Sequence, residues 1–141
     1  MTPTIVLLVA LVSGGADSIN APGGLALRGY DPVAYGTDGK ALRGKETCTY
    51  AWRGARWQFA DEHNRELFRK DPEAYVPQFG GYCAWAVGHG YTADADPEAW
   101  CIVNGKLYVN YSTDVRAMWK RELPGIIGDG ERNWKKLTGK Q

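Results

Sequence analysis

Residues 100–111 read WCIVNGKLYVNY. Two runs of aromatic and β-branched residues flank Asn104-Gly105, and Asn-Gly in that setting favours a type I′ turn because both central positions need positive φ. The segment predicts an antiparallel hairpin. Upstream, residues 47–52 and 55–60 flank Arg53-Gly54 with the same two-residue spacing. They predict a second hairpin in which Cys48 faces Phe59 and Tyr50 faces Trp57 on one apolar side, since partners across an antiparallel pair point the same way.

Helical signals fill the intervals. Asp61 stands as an N-cap before EHNRELFRK, where Leu67 and Phe68 supply a buried stripe. Asp71-Pro72-Glu73 opens a further turn, with Pro at a first helical position. Asp96-Pro97-Glu98 echoes it 25 residues on and reads as the same turn chemistry, not as a repeat. Ser112 or Thr113 caps a helix carrying Val115, Met118, Trp119 and Leu123, which Pro124 and Gly125 end. A last amphipathic stretch holds Ile127, Trp134 and Leu137, and the Lys-rich tail from Lys135 reads as a solvated end. Glycines and prolines between residues 22 and 44 leave only short extended pieces joined by turns. The expected fold is one small α+β domain with two β-hairpins, several short helices and a C-terminal helical segment.

Composition agrees with one domain. The chain has 141 residues, 44 % of them apolar, enough for one core and too few for a second full domain. Seventeen Lys and Arg against sixteen Asp and Glu leave a net charge of +1, so no basic field points to nucleic acid as a partner. The run IVLLVALV, residues 5–12, followed by Ser13, Gly14, Gly15 and Ala16, has the grammar of a secretory signal peptide. Its positive region rests on the terminal amine, because no Lys or Arg precedes Arg28. The run is too short to span a bilayer, which needs about 20 apolar residues, so no stable membrane span is expected. An N-terminal strand or short buried helix is the other reading. Cleavage after Ala16 or Ala21 fits the small-residue rule, and the domain plan is a leader over 1–21 and a domain over 22–141. Export makes the protein periplasmic or secreted, where thiols can pair.

Chemistry concentrates in VPQFGGYCAWAVGHGY, residues 76–91. Residues 82–87 predict a short helix ended by Gly88 or Gly90, with Cys83 in the first turn, where unpaired N–H groups favour thiolate. A buried, inert Cys83 is the competing reading. His89, six positions on, can fold back as a second soft-metal ligand or as a base for the thiol. Asp94, Asp96 or Tyr91 would have to complete a tetrahedral metal site. Cys48 and Cys101 both lie on predicted strands, where a disulfide between them would leave Cys83 free; a bridge from Cys83 to either, or three reduced thiols, are the alternatives. Tyr82, Trp85, Tyr91 and Trp100 can line a ligand pocket or simply fill the core. His63 falls on the exposed side of its helix. No Gly-x-Ser-x-Gly, P-loop, zincin or dinucleotide motif occurs.

Taken together, GYDPVAY (residues 29–35), TYAWRGARWQFA, NRELF, KDPEAYVPQFGGYCAWAV and WCIVNGKLYVNY closely resemble the exported bacterial YHS domain-containing proteins. The likeness runs from Leu27 to Trp134. It implies a small metal-associated or thiol module. The usual pattern of that class has Cys after Asp-Pro-Val and after the strand's Phe, where this chain has Ala34 and Ala60, so the usual metal ligands are missing. Three expectations follow. The first is a non-enzymatic module holding copper, zinc or a small molecule near Cys83, with His89 and nearby aromatics as helpers. The second is a thiol redox protein or sensor, with Cys83 as the reacting group. The third is a structural or partner-binding domain in which Cys83 packs.

Overall fold

The computed structural model describes residues 18–139; the apolar run 5–12 and the cleavage position after Ala16 lie outside the described residues. Ile19 is buried, and the Asn20 N–H donates to the Gly80 carbonyl at 2.8 Å. Packed structure therefore begins ahead of residue 21. Short 3₁₀ turns at Pro22–Gly24 and Ala26–Gly29 lead into α1, Ala34–Thr37. The hairpin β1, Lys45–Trp52, and β2, Ala55–Phe59, follows, and then α2, Glu62–Lys70. Further 3₁₀ turns at Pro72–Ala74 and Gln78–Gly81 lead to α3, Ala84–Gly88. The second hairpin pairs β3, Asp96–Val103, with β4, Lys106–Asn110, and α4, Thr113–Arg121, and α5, Gly125–Thr138, complete the fold. The result is a small α+β domain with two separate two-stranded antiparallel sheets. Among the described residues no helix is long and apolar enough to cross a membrane.

The chain is built as two copies of one unit. β1, β2 and α2 start at residues 45, 55 and 62, and β3, β4 and α4 start at 96, 106 and 113, each 51 residues on. Both hairpins break register at the same place, between Lys45 and Thr49 and between Asp96 and Trp100. Both turns carry positive φ, at Arg53-Gly54 and at Asn104-Gly105. The helix caps match to a degree: Asp61 at φ −155, ψ 170 and Ser112 at φ −154, ψ 171. Each unit also opens with three consecutive left-handed residues, Leu27, Arg28 and Gly29 in the first and Phe79, Gly80 and Gly81 in the second. Each places a strand-turn aromatic on a helix aromatic: Trp57 and Phe68 are 5.2 Å apart at 35°, Tyr108 and Trp119 5.0 Å apart at 37°.

Two core clusters follow from this duplication. One gathers Val33, Tyr35, Trp57, Phe59 and Phe68. The other gathers Phe79, Val87, Tyr108, Trp119 and Ile126. Isolated two-stranded hairpins are marginal in water, so each depends on the helix that covers it. α5 belongs to the second unit alone and packs on α3 through small residues. A Cβ on Gly88 would meet Ile126 Cγ1 at 2.3 Å, and one on Gly130 would meet the Phe79 ring at 2.7 Å. Asn133 Nδ2 donates to the Val87 and Gly88 carbonyls at 2.9 and 3.1 Å, which satisfies the end of α3.

Three sequence expectations are corrected. Lys45, not Cys48, lies opposite Phe59, because the bulge inserts residues into β1 and shifts its register; Tyr50 does face Trp57. Asp96-Pro97-Glu98 is the start of β3, whereas Pro72–Ala74 is a 3₁₀ turn, so the 25-residue echo joins unlike structures while the 51-residue repeat is real. Gly125 begins α5 instead of closing α4, the chain turning at Leu123-Pro124.

Candidate functional site

Gly80 shapes the approach to Cys83. It sits at φ 61, and a Cβ there would meet the Ser18 carbonyl oxygen at 2.0 Å, so the N-terminal strap closes on the turn only if this residue is glycine. The turn delivers Cys83 to the N-cap of α3, with its N–H donating to the Ala93 carbonyl at 2.9 Å. Cys83 is 1 % exposed. Its Sγ donates to Asn110 Oδ1 at 3.6 Å, and the same oxygen accepts the Trp85 backbone N–H at 2.9 Å. The geometry uses the protonated sulfur.

Asn110 is fully buried at the end of β4, and its Nδ2 has no hydrogen-bond partner. Trp85 Nε1 and Trp119 Nε1 are buried and unpartnered as well. Leaving a buried donor unmade costs about 1–3 kcal/mol each. The corresponding positions of the first unit are Phe59 for Asn110, Val33 for Trp85 and Phe68 for Trp119. All three orphaned donors therefore stand where the first unit has hydrocarbon.

The first unit shows what the same place holds when it is closed. Asp31, the counterpart of Cys83, is fully buried. Its Oδ1 accepts the Val33 and Ala34 N–H groups at 2.8 and 3.3 Å, and its Oδ2 accepts the Ala60 N–H and Asn64 Nδ2, each at 2.8 Å. The matching backbone bond is kept, Asp31 N to Leu42 O at 2.8 Å. In the second unit Cys83 replaces Asp31, Val115 replaces Asn64 and Tyr111 replaces Ala60. There an open cleft of about 230 Å³ is lined by Cys83, Trp85, Tyr91, Ala93, Tyr111 and Val115. Tyr91 and Tyr111 are largely exposed, at 48 % and 61 %. Trp85 lies between His89, stacked at 4.1 Å, and Tyr91, edge-on at 6.3 Å.

Of the residues expected at a site, Cys83, Trp85 and Tyr91 come together. His89 does not join the thiol: it is exposed, stacked on Trp85, with Nε2 3.2 Å from both Glu122 carboxylate oxygens. Tyr82 packs toward Trp134, with ring centres 5.9 Å apart, and Trp100 sits edge-on to Tyr35 at 5.3 Å. The acids are engaged elsewhere. Asp94 accepts from Arg28 and Asn20 at 2.8 Å each, and Asp96 accepts the Glu98 N–H at 2.9 Å. Burial pushes the Asp94 carboxyl up, but the Arg28, Asn20 and Ala95 hydrogen bonds together hold it below the usual carboxylate range. Among the described residues no group of three His, Cys, Asp or Glu side chains gathers where it could hold a metal ion. One sulfur bonded to a carboxamide falls short of the four converging donors a zinc site uses.

The cysteines are all free thiols, so the expected bridge between Cys48 and Cys101 is not made. Cys48 is buried in the first core and Cys101 packs beside the second. Burial pushes the Cys48 thiol up. His63 is exposed on α2. Asn110, Tyr111 and Val115 were missing from the sequence-derived site. Asn110 left a signal: in KLYVN it shares a strand face with the core residue Tyr108, a polar residue where alternation calls for an apolar one. No protein-family model, curated protein or solved structure matches the chain.

Proposed function

We propose that the protein is an exported, YHS-like, non-enzymatic module that binds a small molecule in the cleft over Cys83. The observation that carries this reading is the contrast between the two units. The first closes its hub with a carboxylate bonded four times, and the second leaves an aromatic-rimmed cleft beside Cys83 at the corresponding place. Ligand sites are typically concave and mostly apolar, with a few polar groups that set orientation. A cleft of about 230 Å³ is smaller than those that hold drug-sized molecules, so the ligand is small. A soft metal is the less favoured occupant, because His89 lies against Glu122 and among the described residues no group of three His, Cys, Asp or Glu side chains gathers to hold one. A reactive thiolate needs partial exposure and an electropositive setting. At 1 % exposure against a carboxamide oxygen, Cys83 offers neither.

The test is amide NMR of the full chain with a set of aromatic fragments. Shifts should concentrate at Trp85, Ala86, Tyr91, Ala93 and Val115, and vanish in Val115→Trp, which fills the cleft from the α4 side. Shifts scattered over both units, or unchanged in that variant, sink the reading. Near-stoichiometric copper or zinc found by elemental analysis, and lost on Cys83→Ser, would replace it with the metal alternative.

A further inference from the structure

We infer that the mature protein begins at Asp17, a leader peptidase hydrolysing the peptide bond between Ala16 and Asp17, and that residues 18–21 are a strap of the folded domain and no part of the leader. The inference rests on the exported reading above and deepens it by assigning the cut. Water adds across one amide bond: Ala16 leaves with the new carboxylate and Asp17 keeps the new amine. Of the two alanines that satisfy the small-residue rule at the cut, Ala16 has Gly14 two positions before it and follows the apolar run through small residues only. Ala21 has Ile19 in that position, where the Ala-x-Ala pattern asks for a small residue.

The fold gives an independent reason. Ile19, 6 % exposed, is built into the core of the first unit, and Ala21 packs against the same cluster. Asn20 reaches across to the second unit. Its N–H donates to the Gly80 carbonyl at 2.8 Å, and its Nδ2 donates to Asp94 Oδ1 at 2.8 Å and to the Gly81 carbonyl at 3.4 Å. The other Asp94 oxygen accepts from Arg28 of the first unit at 2.8 Å, so Asn20 and Arg28 hold one carboxylate between the two units. Gly80 is shaped to this strap: a Cβ there would meet the Ser18 carbonyl oxygen at 2.0 Å and the Ile19 Cα at 3.2 Å. A cut after Ala21 would strip the first core of Ile19 and take the Asn20 donors from Asp94, Gly80 and Gly81. A cut after Ala16 removes none of these contacts.

The test is expression of the full chain in a bacterium with its own leader, the product being read by intact mass and N-terminal sequencing. That product should lack residues 1–16 and start Asp-Ser-Ile-Asn. Ala16→Leu should abolish it, and Ala21→Leu should leave its N-terminus unchanged. By hydrogen exchange, the Asn20 amide of the product should be at least about tenfold slower than in the urea-unfolded chain at the same pH. An exported product beginning at Pro22, or at any other residue but Asp17, overturns the inference and leaves export standing. So does an Asn20 amide that exchanges at the unfolded rate, since the strap is then no part of the domain. A chain that keeps Met1 and stays in the cytoplasm overturns the inference and the export reading together.

Discussion

Cys83 and Asn110 show how much a single contact changes the chemistry of a side chain. A cysteine at the start of a short helix suggests an activated thiol, yet the sulfur is shut in and hydrogen-bonded to Oδ1 of a fully buried asparagine. Native alkylation with iodoacetamide at neutral pH should therefore modify the half-buried Cys101 first. Cys48 and Cys83 should label only on unfolding, as read by peptide mass mapping; fast, selective labelling of Cys83 would return the redox reading. Asp94 gives a second residue-scale prediction. Its pKa is depressed in the fold, so the stability it contributes is fully present above the unfolded carboxylate value and is lost as pH falls through the lower folded value. Asp94→Asn should lower the urea midpoint at neutral pH, with the gap to the parent closing in acid. Because the side chain is 40 % exposed, solvent screening keeps that gap small. A gap that persists or widens in acid would contradict the assignment. The placement of Cys83 at a helix start was legible in the local pattern Gly-Gly-Tyr-Cys-Ala. Its burial was not, because the residue that covers it arrives from a strand 27 positions away.

The elements were the most legible level, because turn and cap chemistry are local. Arg53-Gly54 and Asn104-Gly105 made tight turns with positive φ, Asp61 made the cap the sequence assigned it, and of the two candidates Ser112 and Thr113 it is Ser112 that caps α4. The strand register near Cys48 was illegible for a physical reason: a bulge puts extra residues in one strand opposite its partner, and the alternation of a strand read alone does not show that pairing. The two caps provide a matched test. Asp61 accepts the Asn64 N–H at 2.8 Å and Ser112 the Val115 N–H at 3.1 Å, from nearly identical backbone geometry. Asp61→Ala and Ser112→Ala should each cost about 1 kcal/mol in chemical denaturation. A loss confined to one of them would mean that the two helices do not share the same dependence on their caps.

At the scale of the whole molecule, the duplication is the feature that makes the site intelligible, and it predicts an exchange. Cys83→Asp, Asn110→Phe and Val115→Asn together give the second unit the residues that close the first. The triple variant should fold, keep a thermal midpoint at least equal to the parent's, and bind none of the fragments that the parent binds. Cys83→Asp alone should be destabilising, because the carboxylate would face Asn110 Oδ1 without the carboxamide donor that Asn64 supplies in the first unit. A stable single variant with a well-bonded carboxylate would show that the hub does not need its partners. The repeat escaped sequence reading because few residues coincide at the 51- or 52-residue offset, Tyr30 with Tyr82, Gly54 with Gly105 and Arg65 with Arg116 among them. Packing tolerates Phe68 or Trp119, Trp57 or Tyr108, so long as volume and apolarity hold. The amino-acid order by itself determined the hairpins, the capped helices and the α+β class, since each follows from neighbours in the chain. Which residues meet at the cleft, that Asn110 accepts from the buried Cys83 sulfur, that His89 turns to Glu122, and that two dissimilar halves are one design were decided by tertiary packing. Those contacts join positions tens of residues apart, whose pairing no local rule can encode.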